Sequence, residues 1–315
     1  MEALVAAFRS KSRELADVLK VGRTELMDAI PLTMGQEFES FAATLEGDLE
    51  VLRLCTARFH SIALGGTAIG TGAAASPAFA PLAVRHLAEL SGKPFHLSSN
   101  LIESTSSTGS FLLFSGLLRR VAIKLSKICN DLRLLASGPR AGFGELNLPP
   151  RAPGSSIMPG KINPIVPEVV SAIAYSVIGA DVTVSFASEA GQLQLSAFEP
   201  LIVYQVLRSM EMLERGCHAL NHECVRGITA NREHCAEQVR ASIGLAIALV
   251  PVCGYAAASK VASKALAEGR AVGDVAVAEG LLTEAEAKKL LCAERLVTNR
   301  ALSHTPCPDP NTETN

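Results

Sequence analysis

Apolar residues recur at threes and fours along most of the chain, the spacing that paints one stripe on an α-helix. The longest such pattern spans residues 99–136 and includes Phe111, Leu112, Leu117, Leu118, Val121, Leu125, Ile128, Leu132 and Leu135. Gly138-Pro139-Arg140 ends it. The pattern predicts further helices over 2–19, 33–60, 78–90, 166–187 and 193–225, with smaller ones filling 232–291. Thr33, with Gln36 three residues on, reads as a capping box at the start of its helix. No stretch alternates convincingly at period two, and Gly22 to Asp28 reads as a short polar segment. Glycine-rich residues 65–72 mark a breaker loop, and a Gly/Pro/Ser-rich loop runs from Gly138 to Pro164.

Helices this long and this apolar must pack lengthwise on one another. The expected fold class is therefore all-α: a long central bundle over residues 1–228, a small C-terminal helical domain over 229–303 and a disordered tail over 304–315. The boundary is placed near Ile228-Thr229-Ala230-Asn231. The stretch from Ala241 to Ser259 carries no charge and is long enough to raise the question of a membrane. Pro251 and Gly254 interrupt it, so two packed core helices joined by a turn are expected, with no membrane partner.

Composition narrows the function. Hydrophobic residues at 48% and charged residues at 19% exclude a disordered chain. A net charge of −2 with no run of one sign, and only 4% aromatics, argue against a nucleic-acid partner. Eight cysteines without a CxxC, most inside apolar helical patterns, read as reduced core residues of a cytoplasmic protein. Charges interrupt the first residues too early for a signal peptide. His218 and His222 stand four apart with Cys217 and Cys224 nearby, a zinc-compatible spacing, but a structural or surface role is favoured and no metal is expected. Residues 65–72 lack the Gly-Lys-Ser/Thr of a phosphate cradle. Arg23 and Arg140 fit anion clamps, helix caps or ion pairs equally well.

The segment richest in chemistry is residues 153–164, Pro-Gly-Ser-Ser-Ile-Met-Pro-Gly-Lys-Ile-Asn-Pro. Three prolines and two glycines frame Ser155, Ser156, Lys161 and Asn163. Such a bent loop can offer free amides as an anion nest. A serine beside those amides and an ammonium could have its alkoxide stabilised enough to act as a base. A plain flexible connector is the competing reading.

This stretch resembles the GSSxMPxKxN signature of the aspartase/fumarase superfamily and matches it at every defined position. The resemblance extends through residues 127–134, 137–140, 22–24, 35–37, 66–72, 189–195 and 227–231, and covers the chain from residue 1 to about residue 290. Residues 165–170, Gln192 to Leu195 and Glu199-Pro200 look like the aspartate ammonia-lyase branch. The resemblance implies a fumarase/aspartase-like all-α fold, a homotetramer whose active sites draw on three subunits, and elimination of ammonia from L-aspartate to give fumarate. It implies Ser155 as the base that removes the Cβ proton, with an aci-carboxylate intermediate. Thr24, Lys161 and Asn163 would bind the dicarboxylate substrate, with Glu25, Glu168 and Ser156 in support. No metal or organic cofactor is implied.

Two departures accompany the resemblance. Family members begin with a further domain, whose Ser/Thr-rich loops bind substrate carboxylates, and no equivalent is expected here. By its position in the resemblance, Ser104-Thr105-Ser106-Ser107-Thr108 belongs to a helix. Glu25 stands where the family has His or Gln, opposite the glutamate that corresponds to Glu168. A fumarase-type hydratase and an inactive short homologue serving as scaffold or partner subunit are the alternatives.

Overall fold

The computed structural model describes residues 1–152, 154 and 157–297. Ser155, Ser156 and the expected tail lie outside the described residues. The chain is helical, as the apolar spacing requires, with twelve α-helices among the described residues and three short strand pairs. The described residues form two compact units: those of 1–10, 39–143 and 148–228 make the first, and those of 11–38, 144–147 and 229–297 make the second.

The first unit is built on α5 (Gly109–Leu135), α6 (Ile165–Glu189) and α7 (Glu199–Ala219). α5 buries Leu118, Val121, Leu125, Ile128, Leu132 and Leu135, while α6 buries Val170, Ala174, Val177, Asp181 and Val184. These steps of three and four give each helix one continuous stripe, and the stripes pack on each other. Two carboxylates are buried among them. Asp181 accepts from Ser115 Oγ and from Arg119 Nη1, each at 2.7 Å. Asp48 faces Lys124 Nζ at 2.7 Å and Arg120 Nε at 2.8 Å. A buried charge is tolerable when it is paired and hydrogen-bonded in this way.

The segment expected as one helix over 99–136 is broken. α4 (Leu101–Ser106) is capped by Asn100, whose side chain accepts from the amides of Ile102 and Glu103, and the chain turns at Ser107-Thr108 before α5. The hydroxyl of Thr105 is spent on the carbonyl of Leu101, and that of Ser106 on the carbonyl of Glu103. The helix expected over 193–225 starts at Glu199, where Pro200 occupies the first turn, and loosens into a π turn (Leu220–Cys224) and a 3₁₀ turn (Val225–Gly227). α3 (Phe79–Ser91) ends at Gly92 in the left-handed conformation.

α1 (Glu2–Glu14) stops well before Leu19, because the second unit opens with a hairpin that the apolar pattern did not disclose. β1 (Leu19–Thr24) pairs antiparallel with β2 (Met27–Thr33). α2 (Met34–Thr56) follows, and the expected capping box is present: Gln36 N donates to Thr33 Oγ1 at 3.1 Å and Thr33 N donates to Gln36 Oε1 at 2.9 Å. α8 (Arg232–Ala241) packs on β1, and a 3₁₀ turn (Ile243–Leu249) packs on β2. α9 (Val250–Glu268) is kinked at Gly254, near the break expected in this apolar stretch. α10 (Val272–Ala278), α11 (Glu284–Leu290) and α12 (Ala293–Leu296) complete the unit. Leu249, Val261, Ala265, Val272 and Val275 centre one apolar cluster, and Val21, Val239, Leu245 and Ala293 another.

Ile165–Glu189 and Ile243–Glu268 are long and apolar enough to cross a membrane by length and composition alone. Each meets packing partners within its own unit, and the first carries the buried Asp181.

Candidate active site

The loop that holds the Ser-Ser pair is closed by backbone at its base. Gly154 N donates to Lys161 O at 2.8 Å. The Asn163 side-chain amide donates to Gly154 O at 2.9 Å. Gly154 is required by this closure: a Cβ there would lie 2.5 Å from Lys161 O and 2.7 Å from Asn163 N. The glycine therefore serves close backbone approach rather than flexibility. Asn163, expected to meet substrate, has its amide engaged in pinning the loop. Lys161 projects from the loop exposed, and its ammonium has no hydrogen-bond or ion-pair partner among the described residues. An unpaired ammonium on a pinched loop is available to an anion.

Glu168 sits in the first turn of α6, half-buried, with Arg133 Nη2 3.6 Å from its Oε1. A carboxylate in that position is favoured by the helix dipole and by the guanidinium.

Thr24 is the last residue of β1 and is exposed. The hairpin turns over two residues, Glu25 (φ 53°) and Leu26 (φ 65°). Positive φ at both central positions matches the right-handed twist of a hairpin but normally selects Asn and Gly. Here two residues with a Cβ hold that shape, at roughly 1–2 kcal/mol each. Glu25 points to solvent from this turn and has no ion pair among the described residues.

Behind the hairpin lies a buried ionic cluster that the sequence did not disclose. Glu145 is fully buried. Arg23 Nη1 donates to its Oε1 at 2.5 Å, and Lys20 Nζ lies 3.1 Å from its Oε2. Lys20, itself buried, also donates to Glu37 Oε2 at 2.9 Å. Of the roles open to Arg23, the ion pair is the one observed. A cavity of about 490 Å³ beside the cluster is lined in part by Arg23, Thr24, Gln36 and Glu37.

The His218 and His222 rings are exposed and stack with centroids 4.4 Å apart. No third His, Cys, Asp or Glu joins them in a metal-holding group among the described residues. Burial pushes the thiols of Cys129, Cys217, Cys224 and Cys235 up, Cys224 to about 12 and Cys235 to about 11.

The fold and the motif-bearing loop can be compared with known proteins. Residues 1–179 match the family described as lyase, and residues 245–298 match the fumarase C C-terminus. The chain belongs to this aspartase/fumarase family of lyases. It is 51% identical over 303 residues to an aspartate ammonia-lyase of Pseudomonas aeruginosa, covering 96% of this chain and 64% of that protein. A Helicobacter pylori aspartate ammonia-lyase is 46% identical over 301 residues, with 96% and 64% covered. Among solved structures, a Brucella melitensis protein titled fumarate lyase:delta crystallin bound to cobalt superposes with a TM-score of 0.91 at 52% identity, covering 95% of this chain and 65% of that one. A class II fumarase of Schistosoma mansoni superposes with the same score at 29% identity, covering 94% and 65%. The chain thus spans about 64% of the length of the curated relatives it matches.

Proposed function

We propose that the protein eliminates ammonia from L-aspartate to give fumarate. The supporting observation is the loop closed between Gly154 and Lys161–Asn163, whose sequence carries the Ser-Ser pair and whose Lys161 ammonium has no partner among the described residues, in a chain about half identical to aspartate ammonia-lyases.

In this reading Ser155 removes the Cβ proton. The electron pair moves first into the β-carboxylate as an aci-carboxylate and then into the Cα–Cβ bond as the Cα–N bond breaks and ammonia leaves. Lys161 supplies positive charge where the carboxylate dianion develops, the kind of stabilisation that contributes most to such steps. Asn163 and Ser156 shape the loop around the reacting carboxylate. Thr24 donates to substrate from the hairpin turn, and Glu168, steadied by Arg133, supports the site. Glu25 places a carboxylate at the turn beside Thr24, where its charge favours a dicarboxylate that bears an ammonium over one that bears a neutral hydroxyl.

The assembly is read as a homotetramer in the cytoplasm, with the C-terminal helical domain over 229–303. Support for association comes from α6, where Tyr175, Val182 and Phe186 form a second apolar face, with Phe186 71% exposed. Leu201, Tyr204 and Leu207 on α7 are exposed as well. Uncovered apolar rows of this size mark protein interfaces.

The test is release of fumarate, followed by its ultraviolet absorbance, from the assembled protein supplied with L-aspartate or with malate. Fumarate from aspartate alone supports the reading. Fumarate from malate alone replaces it with a fumarase-type hydratase, and none from either leaves a non-catalytic homologue.

A further inference from the structure

We propose that Glu145 is a positioning residue for substrate: from complete burial it holds Arg23, and through Arg23 it fixes where Thr24 stands. The inference rests on the reading that Thr24 meets substrate, and it assigns the anchor that reading lacks.

The geometry begins with strand parity. Lys20 and Arg23 are three residues apart, which in a regular strand sends their side chains to opposite faces. Yet both reach the same carboxylate, at 3.1 Å and 2.5 Å. The register explains how. Val21 pairs with Pro31 and Arg23 with Asp28, so Gly22 opposes two residues of β2. The extra residue lies on β2, and such a bulge sharpens the local twist of the ribbon, which turns the Arg23 end of β1 relative to Lys20. The bulge needs a glycine, because a Cβ at residue 22 would lie 2.5 Å from Ile30 O. Pleat, glycine and cation are thus arranged so that Arg23 turns inward to Glu145 one residue before Thr24.

Glu145 is itself held on its backbone. Asn231 N donates to Glu145 O at 2.9 Å, and the Asn231 side chain donates to Gly144 O at 2.6 Å. Leu146 and Asn147 pair with Ala230 and Thr229. The carboxylate is therefore a fixed point, while the hairpin turn beyond Arg23 is exposed and bent through two positive-φ residues with side chains. A turn of that kind keeps its place only if something behind it over-determines it. Lys20 is shared between Glu145 and Glu37, so Arg23 is the cation that Glu145 holds to itself.

Two experiments decide this on the full chain. Glu145→Gln keeps the shape and removes the charge. The expected result is hydrogen exchange roughly tenfold faster in the hairpin (residues 19–33) with exchange in α9 unchanged. In the fumarate assay we expect about a tenfold rise in KM for L-aspartate with kcat within about threefold, since misplacing one binding group costs binding first. Glu145→Asp should fall between the two. If Glu145→Gln does not fold, Arg23→Lys, which keeps the charge and loses the reach, should give the same pattern. Unchanged hairpin exchange overturns the proposal, as does a loss of thermal stability with KM unaltered. If the unaltered protein releases no fumarate, the proposed reaction fails, and the hairpin exchange alone then decides whether Glu145 anchors the turn.

Discussion

The side-chain amide of Asn163 donates to the carbonyl of Gly154 at 2.9 Å, closing the loop that carries Ser155 between two residues nine apart. The geometry leaves no room for a methyl group at Gly154. Gly154→Ala must therefore open the loop. Because a shift near 1 Å in a reacting group can cost on the order of 100-fold in rate, we expect kcat for aspartate to fall roughly that far. The melting temperature should barely move, since the loop contributes no core. Steady-state kinetics beside calorimetry checks both halves.

The buried Asp181 predicts a stability effect remote from chemistry. Asp181→Ala orphans the Ser115 hydroxyl and unpairs Arg119, which is half-exposed and can turn to water. The expected loss is about 1–3 kcal/mol, the cost of one unsatisfied buried polar group. Urea unfolding measures it, and an unchanged midpoint would deny that the pair stabilises the bundle.

Thiol chemistry should divide by burial. Cys55, Cys129, Cys217, Cys224 and Cys235 are buried, and burial raises the thiol pKa of each. Only the thiolate reacts, so these five should stay unmodified by a disulfide reagent at pH 8 in the native protein. All eight cysteines should react in denaturant. Peptide mapping of the native reaction identifies which thiols were protected.

Acid should weaken the second unit in a defined direction. Arg232 hydrogen-bonds Asp17 and lowers its pKa, Lys264 does the same to Glu279, and the Thr283 amide and hydroxyl lower Glu286. Each carboxylate titrates lower when folded than when unfolded. Their contributions are complete above the unfolded value, near pH 4–4.5, and disappear as pH falls through the folded values. Melting temperature should thus be level near neutrality and decline below about pH 4.5. Glu279→Gln should reduce the steepness of that decline. These pairs are exposed, so salt should shrink the effect.

Much of the bundle could be read from spacing alone, because apolar residues at threes and fours leave few other ways to bury themselves. The Thr33–Gln36 capping box was visible for the same reason: it is local. The hairpin was hidden because its inward positions include Lys20, whose burial is ionic, and because the bulge opposite Gly22 adds a residue to β2 and breaks its alternation. The break at Ser107-Thr108 was hidden by apolar residues that keep helical spacing across it. The Gly-Ser-Ser loop was legible as a motif. Its closure by Asn163 was not, since that amide was assigned to substrate. Glu145 gave no signal at all: its partner Arg23 lies 122 residues away, and a lone glutamate after glycine resembles any loop carboxylate.

The proposed reaction depends on Ser155 acting as the base and on Lys161 serving the substrate carboxylate. The direct measurement is fumarate release from L-aspartate by the assembled protein and by its Ser155→Ala variant at equal concentration. The account predicts turnover by the first and a loss of at least roughly 10²-fold in the second, in line with removing a general base. Full-rate turnover by Ser155→Ala would contradict it.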